Sequence, residues 1–172
     1  MVTRRIILGA AAAALIVGPR LVWAADRVEI AMSGRPDGSH VWFDPVGLLV
    51  APGTTIRWTN TDKGNSHTAT AYHPTLYGRQ ARIPEGAEPW DSDYLLPGES
   101  FEVTLSVAGV YDFYCVPHEH AGMVGRIIVG EPTGEPYPDV EVDAKLTGLP
   151  DVALANLPKV DAIMAAGQVR ME

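Results

Sequence analysis

Apolar and polar residues alternate with a period of two over several short stretches of this chain. The clearest stretch is residues 100–107, where the apolar side chains share one face: Phe101, Val103, Leu105 and Val107. The opposite face carries polar side chains: Glu102, Thr104 and Ser106. A period of two is typical of a β-strand that buries one face in a core.

Turn-forming residues separate these stretches at short intervals. They lie at Pro45, Pro52-Gly53, Asp62-Lys63-Gly64, Pro97-Gly98 and Ala108-Gly109. Between them the pattern predicts seven strands: Val28–Met32, Val46–Val50, Thr54–Thr59, Thr68–Tyr72, Ser100–Val107, Val110–Cys115 and Val124–Val129. Many short strands with regular turns predict an all-β protein built as a β-sandwich.

Two segments fall outside this plan. Residues 73–96 form a polar insertion with Tyr77, Trp90 and Tyr94. It is too long for a tight turn, so we expect either a functional loop or one packed on its own aromatic residues. Residues 131–172 form a C-terminal linker and tail that begins with the Pro-rich segment 131–139. A short helix is predicted around residues 160–164, and Gly167 is suited to end it.

The first 24 residues have the pattern of a secretory signal peptide. Arg4 and Arg5 precede a short apolar core, and small residues around Ala24 offer a cleavage site. The paired arginines also fit the twin-arginine route, which exports folded cargo. The predicted organisation is therefore a signal peptide at 1–24, a β-domain at 25–130 and the tail at 131–172, in a periplasmic or otherwise exported protein.

The net charge narrows the class of partner. The chain carries a formal charge of −8, and loss of residues 1–24 would remove three arginines and no acid, which gives −11. Nucleic-acid binding depends on cationic contacts to phosphate, so this charge argues against it. An acidic soluble protein is instead suited to dock on a basic partner.

The only cysteine lies in a run that also holds an imidazole and a thioether. Cys115 is followed by His118 and Met123, and Pro117 and Gly122 are suited to fold the run into a tight loop. With His67 upstream, the set of one Cys, two His and a weak Met is that of a blue-copper electron-transfer site. Metal ligation would also protect a free thiol from oxidation in an exported protein.

The loop Cys-x-x-His-x-x-x-x-Met resembles that of the cupredoxins, the plastocyanin and pseudoazurin kind of copper protein. The resemblance spans residues 28–130 and implies a Greek-key sandwich with metal-binding loops at one end. It implies that His67, Cys115, His118 and Met123 ligate one copper ion, with Met123 as the weak axial ligand and His118 near the surface as the exit for the electron. Tyr111 resembles the tyrosine that supports Greek-key corners.

The loop departs from the family pattern at three positions. Glu119 and His120 stand where small or uncharged residues are common. His120 could replace His118 as the ligand or bind a second metal, but we expect an ordinary surface histidine. Thr68 stands where the family often has an Asn that braces the loop, and Ser66 or Thr68 could substitute for it. The spare histidines His40, His73 and His120 would form a second, weaker copper site if the fold brought them together.

The resemblance implies a carrier of single electrons between larger redox proteins, and not an enzyme. Those redox partners would dock transiently near His118, on an apolar collar of Val116, Pro117, Ala121, Gly122 and Val124. The alternative is a periplasmic copper-handling protein that confers copper tolerance through a second copper site. A multicopper enzyme is disfavoured, because it needs more domains and more histidines than this chain offers.

Overall fold

The computed structural model of the protein describes residues 27–130 and 148–171, in which nine strands form two sheets. The first sheet has the order β2 (Val41–Asp44), β1 (Arg27–Gly34), β4 (Thr54–Asn60), β6 (Ser100–Leu105). The second has the order β5 (Thr70–Ala71), β7 (Gly109–Tyr114), β8 (Val124–Val129), β3 (Gly47–Val50), β9 (Gln168–Val169). The predicted signal peptide and Pro-rich linker lie outside the described residues.

The two sheets form the predicted Greek-key β-sandwich. Each sheet contains one parallel pair, β1 with β4 and β3 with β8, and its other pairings are antiparallel. Along β4 the buried residues alternate with half-buried ones, so that Ile56 and Trp58 face the core. This is the period of two that the sequence shows, and it places one face of the sheet against the other.

Aromatic side chains fill the core between the sheets. The Phe113 ring packs edge-on against Trp58 at a centroid distance of 5.4 Å and against Phe43 at 4.8 Å. Tyr111 donates its hydroxyl hydrogen to the Val107 carbonyl across 2.6 Å, as expected for a tyrosine at a Greek-key corner. These contacts fix β7, whose last residue leads directly into Cys115.

The insertion at 73–96 is anchored through its tryptophan. Trp90 is buried, and its ring lies 5.7 Å from that of Trp58 and 6.0 Å from that of Tyr111. Tyr77 and Tyr94, by contrast, are largely exposed. The expectation of a loop packed on its own aromatics is therefore wrong, since Trp90 packs on core residues from outside the insertion.

The C-terminal tail packs onto the second sheet with two short helices, α1 (Asp151–Asn156) and α2 (Val160–Ala166). The predicted helix is confirmed as α2, with Gly167 at its C-cap, whereas α1 and β9 were not predicted. Ile163 is fully buried against Ile128, and a β-carbon on Gly47 would lie 2.8 Å from its side chain. None of the helices in the described parts of the chain is long and apolar enough to cross a membrane.

Two predicted strands are shorter in the structure by two residues or more, and, besides β9, one strand was missed. The strand predicted at Thr68–Tyr72 is reduced to β5, because Thr68 turns toward the ligand loop. The strand predicted at Ser100–Val107 ends at Leu105, where the chain turns into the tyrosine corner. The strand β2, a four-residue edge strand that pairs with β1 alone, was missed.

Replacement of Ile163 tests whether the tail is part of the fold. Ile163→Ala should lower the free energy of unfolding by about 2–4 kcal/mol, because truncation leaves a cavity where the fully buried side chain was packed. Met164→Ala, at a half-buried position of the same helix, is the matched control and should cost less. Urea unfolding of both variants measures the difference, and equal costs would show that α2 is not packed as described.

Candidate metal centre

The loop that follows β7 folds back on itself within nine residues. A 3₁₀ helix (Val116–Ala121) ends at Gly122, whose φ of 81° lies in the left-handed region that favours glycine. The Cys115 carbonyl accepts the His118 N–H at 3.0 Å, and the Cys115 N–H donates to the Met123 carbonyl at 3.0 Å. The predicted tight loop is confirmed, and it brings its cysteine, histidine and methionine to one end of the sandwich.

His67 reaches the same end of the sandwich from the segment between β4 and β5. It forms an antiparallel β-bridge with Leu95, in which the His67 N–H donates to the Leu95 carbonyl at 3.2 Å and the Leu95 N–H donates to the His67 carbonyl at 2.8 Å. The imidazole of His67 is completely buried. The backbone of His67 is thus paired as in an antiparallel strand, although it lies in a loop.

Three ligand atoms converge on one point. The Nδ1 atoms of His67 and His118 are 3.2 Å apart, and the Cys115 Sγ lies 3.4 Å from the Nδ1 of His118 and 3.6 Å from that of His67. A point equidistant from atoms at these separations lies about 2 Å from each, which is the length of a metal–imidazole bond. These three side chains could therefore hold a metal ion.

Met123 lies beside this group at the base of the loop. Its side chain is completely buried in the same apolar cluster as Cys115, and its N–H donates to the His118 carbonyl at 3.1 Å. The structure thus brings together all four residues that the sequence singled out at this site.

Burial sets the protonation of the three ligand atoms. It lowers the pKa of His67, and it lowers the pKa of His118 together with the neighbouring His67. Burial also raises the pKa of the Cys115 thiol to about 11, although a hydrogen bond from Thr68 acts in the opposite direction. At neutral pH both imidazoles are neutral and the thiol is protonated, so a metal that binds the thiolate must release that proton.

Thr68 joins the two loops of the site. Its N–H lies 3.3 Å from the Cys115 Sγ, and its hydroxyl accepts the Val116 N–H at 2.8 Å. The same hydroxyl is 2.9 Å from that of Thr70. Of the two substitutes for the family's asparagine, the structure selects Thr68, with both the backbone and the side chain in contact with the ligand loop.

Glu119 anchors the ligand loop from inside. It is almost completely buried, accepts a hydrogen bond from the Tyr72 hydroxyl at 2.9 Å, and forms an ion pair with Arg79. Arg79 also lies over the ring of Tyr114, 5.4 Å from its centroid. The departure from the family pattern at this position is therefore structural, because a buried carboxylate needs such partners.

The helix α1 covers one side of the ligand loop. Asn156 donates from Nδ2 to the Gly122 carbonyl at 3.0 Å, and a β-carbon on Gly122 would lie 2.2 Å from that nitrogen. The predicted apolar collar is therefore wrong in part. Gly122 and Val124 are buried, whereas Pro117 and Ala121 are exposed.

The spare histidines do not assemble into a second site. His40 stacks on Trp42 with ring centroids 5.1 Å apart, and His73 Nδ1 lies 2.8 Å from the Thr75 hydroxyl. His120 is exposed on the 3₁₀ helix. Within residues 27–130 and 148–171, the only cluster of three or more Cys, His or acidic ligands close enough for one ion is the centre described above. The structure gives no support to the predicted second copper site.

Sequence reasoning missed one residue of the site, Asp62, which it treated only as part of a turn. The Asp62 Oδ2 lies 3.0 Å from the His67 Nε2. A signal was present, because Asp62 and Gly64 form an Asx-type turn just before the candidate histidine, and such turns fix the aspartate side chain.

Substitution of Thr68 tests whether this residue joins the two loops. Thr68→Ala should lower the free energy of unfolding of the metal-free protein by about 1–2 kcal/mol, because the Val116 N–H loses its acceptor. Thr68→Ser keeps the hydroxyl and should recover most of that loss. Urea unfolding provides the comparison, and equal losses in the two variants would mean that the hydroxyl does not brace the loop.

Comparison with known proteins agrees with this geometry. The family of copper-binding proteins described as plastocyanin/azurin matches residues 30–130. The chain is 35% identical to a chloroplast plastocyanin of Oryza sativa subsp. indica over 125 residues, which cover 70% of this chain and 75% of the relative. It is 30% identical to a pseudoazurin of Methylorubrum extorquens over 133 residues, which cover 76% and 80%.

The fold shows the same likeness. A pseudoazurin structure from a Sinorhizobium species superimposes with a TM-score of 0.56 at 27% identity, over 83% of this chain and 98% of that one. The family match covers more than half of the chain and includes His67 and the whole ligand loop. The chain therefore belongs to the copper-binding plastocyanin/azurin family, the cupredoxins.

Proposed function

We propose that this protein is an exported electron carrier that holds one copper ion between His67, Cys115 and His118, with Met123 as a weak axial ligand. The observation that carries the proposal is the convergence of one sulfur and two nitrogen atoms on a point about 2 Å from each. A thiolate with two imidazoles and a thioether suits copper better than the hard cations magnesium and calcium.

Copper bound there would supply a one-electron couple between its two oxidation states. The chain's own contribution is a nearly fixed arrangement of ligands. His67 is held by its bridge to Leu95, and Cys115 is held by hydrogen bonds from the loop and from Thr68. Because these contacts are buried, little rearrangement accompanies a change of charge, and a small rearrangement favours rapid electron transfer.

The electron would leave through His118. Among the four ligand residues only His118 is partly exposed, whereas the other three are completely buried. Exposed Pro117 and Ala121 flank it on the same helix and offer a small apolar surface to a redox partner. Such encounters are weak and transient, and the acidic chain favours a basic partner. Export to the periplasm fits the predicted signal peptide at 1–24.

A copper titration of the protein from residue 25 onward tests this function. Copper(II) should produce an intense visible thiolate-to-copper band that saturates at one equivalent. The band should disappear in Cys115→Ser and His118→Ala. It should persist in His120→Ala, the matched control on the same helix, since His118 lies beside the thiol whereas His120 is exposed. A band that survives Cys115→Ser, or that is lost in His120→Ala alone, would contradict the ligand assignment.

A further inference from the structure

A buried carboxylate lies behind His67, on the side of the ring opposite the ligand cluster. The imidazole directs Nδ1 toward the Cys115 Sγ at 3.6 Å and Nε2 toward the Asp62 Oδ2 at 3.0 Å. The exposed fraction is 4% for the Asp62 side chain and zero for His67. Each ring nitrogen therefore has its own partner. The Asp62 carboxylate requires a protonated Nε2, whereas a metal ion at the ligand cluster requires an unprotonated Nδ1.

Asp62 is held as an ionised acceptor. Its Oδ2 accepts a hydrogen bond from the Asn65 side chain at 2.8 Å, and its Oδ1 accepts the Gly64 N–H at 2.8 Å. An amide N–H can only donate, so both oxygens of Asp62 already act as acceptors, and these bonds favour the ionised carboxylate. An ionised carboxylate can only accept a hydrogen bond, so the neutral His67 must carry its proton on Nε2.

The neighbouring strand leaves room for this carboxylate. Gly34 ends β1, and a β-carbon on Gly34 would lie 2.0 Å from the Asp62 Oδ2. The φ of Gly34 is not in the left-handed region, so the need for glycine here comes from this contact. The carboxylate thus fills space that any larger residue at position 34 would take.

We propose that Asp62 is a positioning residue for the metal centre. It fixes the tautomer of His67 with the proton on Nε2, and so directs the Nδ1 lone pair at the metal. Its negative charge also stabilises the more highly charged oxidation state of that metal. The claim about the His67 tautomer concerns the metal-free protein and needs no bound metal. The claim about the oxidation state of the metal rests on the proposed function.

The claim about the tautomer is tested by nitrogen-15 NMR of His67 in the metal-free wild-type protein. The expected result is a protonated Nε2 and an unprotonated Nδ1 at neutral pH. A ring that carries its proton mainly on Nδ1 would overturn the inference. This measurement needs no copper, so it can overturn the positioning role even if the protein proves not to bind copper through its thiolate.

The claim about the oxidation state is tested by the reduction potential of the copper-loaded protein. Asp62→Asn keeps the shape of the side chain and removes its charge. It should weaken the preference for copper(II) over copper(I) about tenfold, which is a rise of about 59 mV for one electron. Glu85→Gln removes an equal charge from an exposed residue of the insertion and should leave the potential nearly unchanged. An unchanged potential in Asp62→Asn would overturn the inference.

A second variant separates the effect of the position of the Asp62 carboxylate from the effect of its charge. Gly34→Ala keeps the Asp62 charge but pushes its carboxylate away from His67, so the potential should rise by less than in Asp62→Asn but by more than in Glu85→Gln. A shift in Asp62→Asn with none in Gly34→Ala would assign the effect to charge alone and refute the positioning role. If Asp62→Asn does not fold, the Gly34→Ala potential and the tautomer of the wild-type protein decide the question.

Discussion

The candidate metal centre, at one end of the sandwich, depends on the junction between two loops that lie about 50 residues apart in the chain. Thr68 makes this junction, since its N–H approaches the Cys115 sulfur and its hydroxyl accepts the Val116 N–H. The adjacent His67 is thereby held against the thiol. No single segment supplies the site, so the three ligand atoms come together only in the folded sandwich.

Three further sets of side-chain contacts hold this junction in place from different sides. Glu119 ties the ligand loop to Tyr72 and Arg79, and Asn156 of the C-terminal tail binds the backbone at Gly122. Asp62 supports His67 from behind. The carboxylates of Glu119 and Asp62 are buried, whereas Arg79 and Asn156 are half-buried. Buried polar groups are costly to leave without partners, so these contacts favour one arrangement of the loops. Such a fixed frame is what a carrier of single electrons requires.

Much of the fold and the four residues proposed as ligands could be predicted from the sequence, for physical reasons. The strands can be predicted because each buries one face and therefore alternates apolar with polar residues. The Cys-x-x-His-x-x-x-x-Met spacing places three of the four proposed ligands within one loop. The supporting contacts could not be predicted in this way. The sequence marks Asp62 as an Asx-type turn residue before His67, but it does not show that the carboxylate meets the histidine ring. The helix α1 has only six residues, and its role depends on where the tail returns to the sheet. The spare histidines mislead because composition alone does not show that His40 stacks on Trp42.

X-ray absorption at the copper edge of the loaded protein tests the central claim most directly, because it reports the atoms bound to the metal without reference to colour or potential. The claim is that Cys115, His67 and His118 close on a single copper ion. The expected spectrum contains one short copper–sulfur distance and two imidazole nitrogens at about 2 Å. A copper ion surrounded by oxygen and nitrogen alone, without a sulfur neighbour, would contradict it.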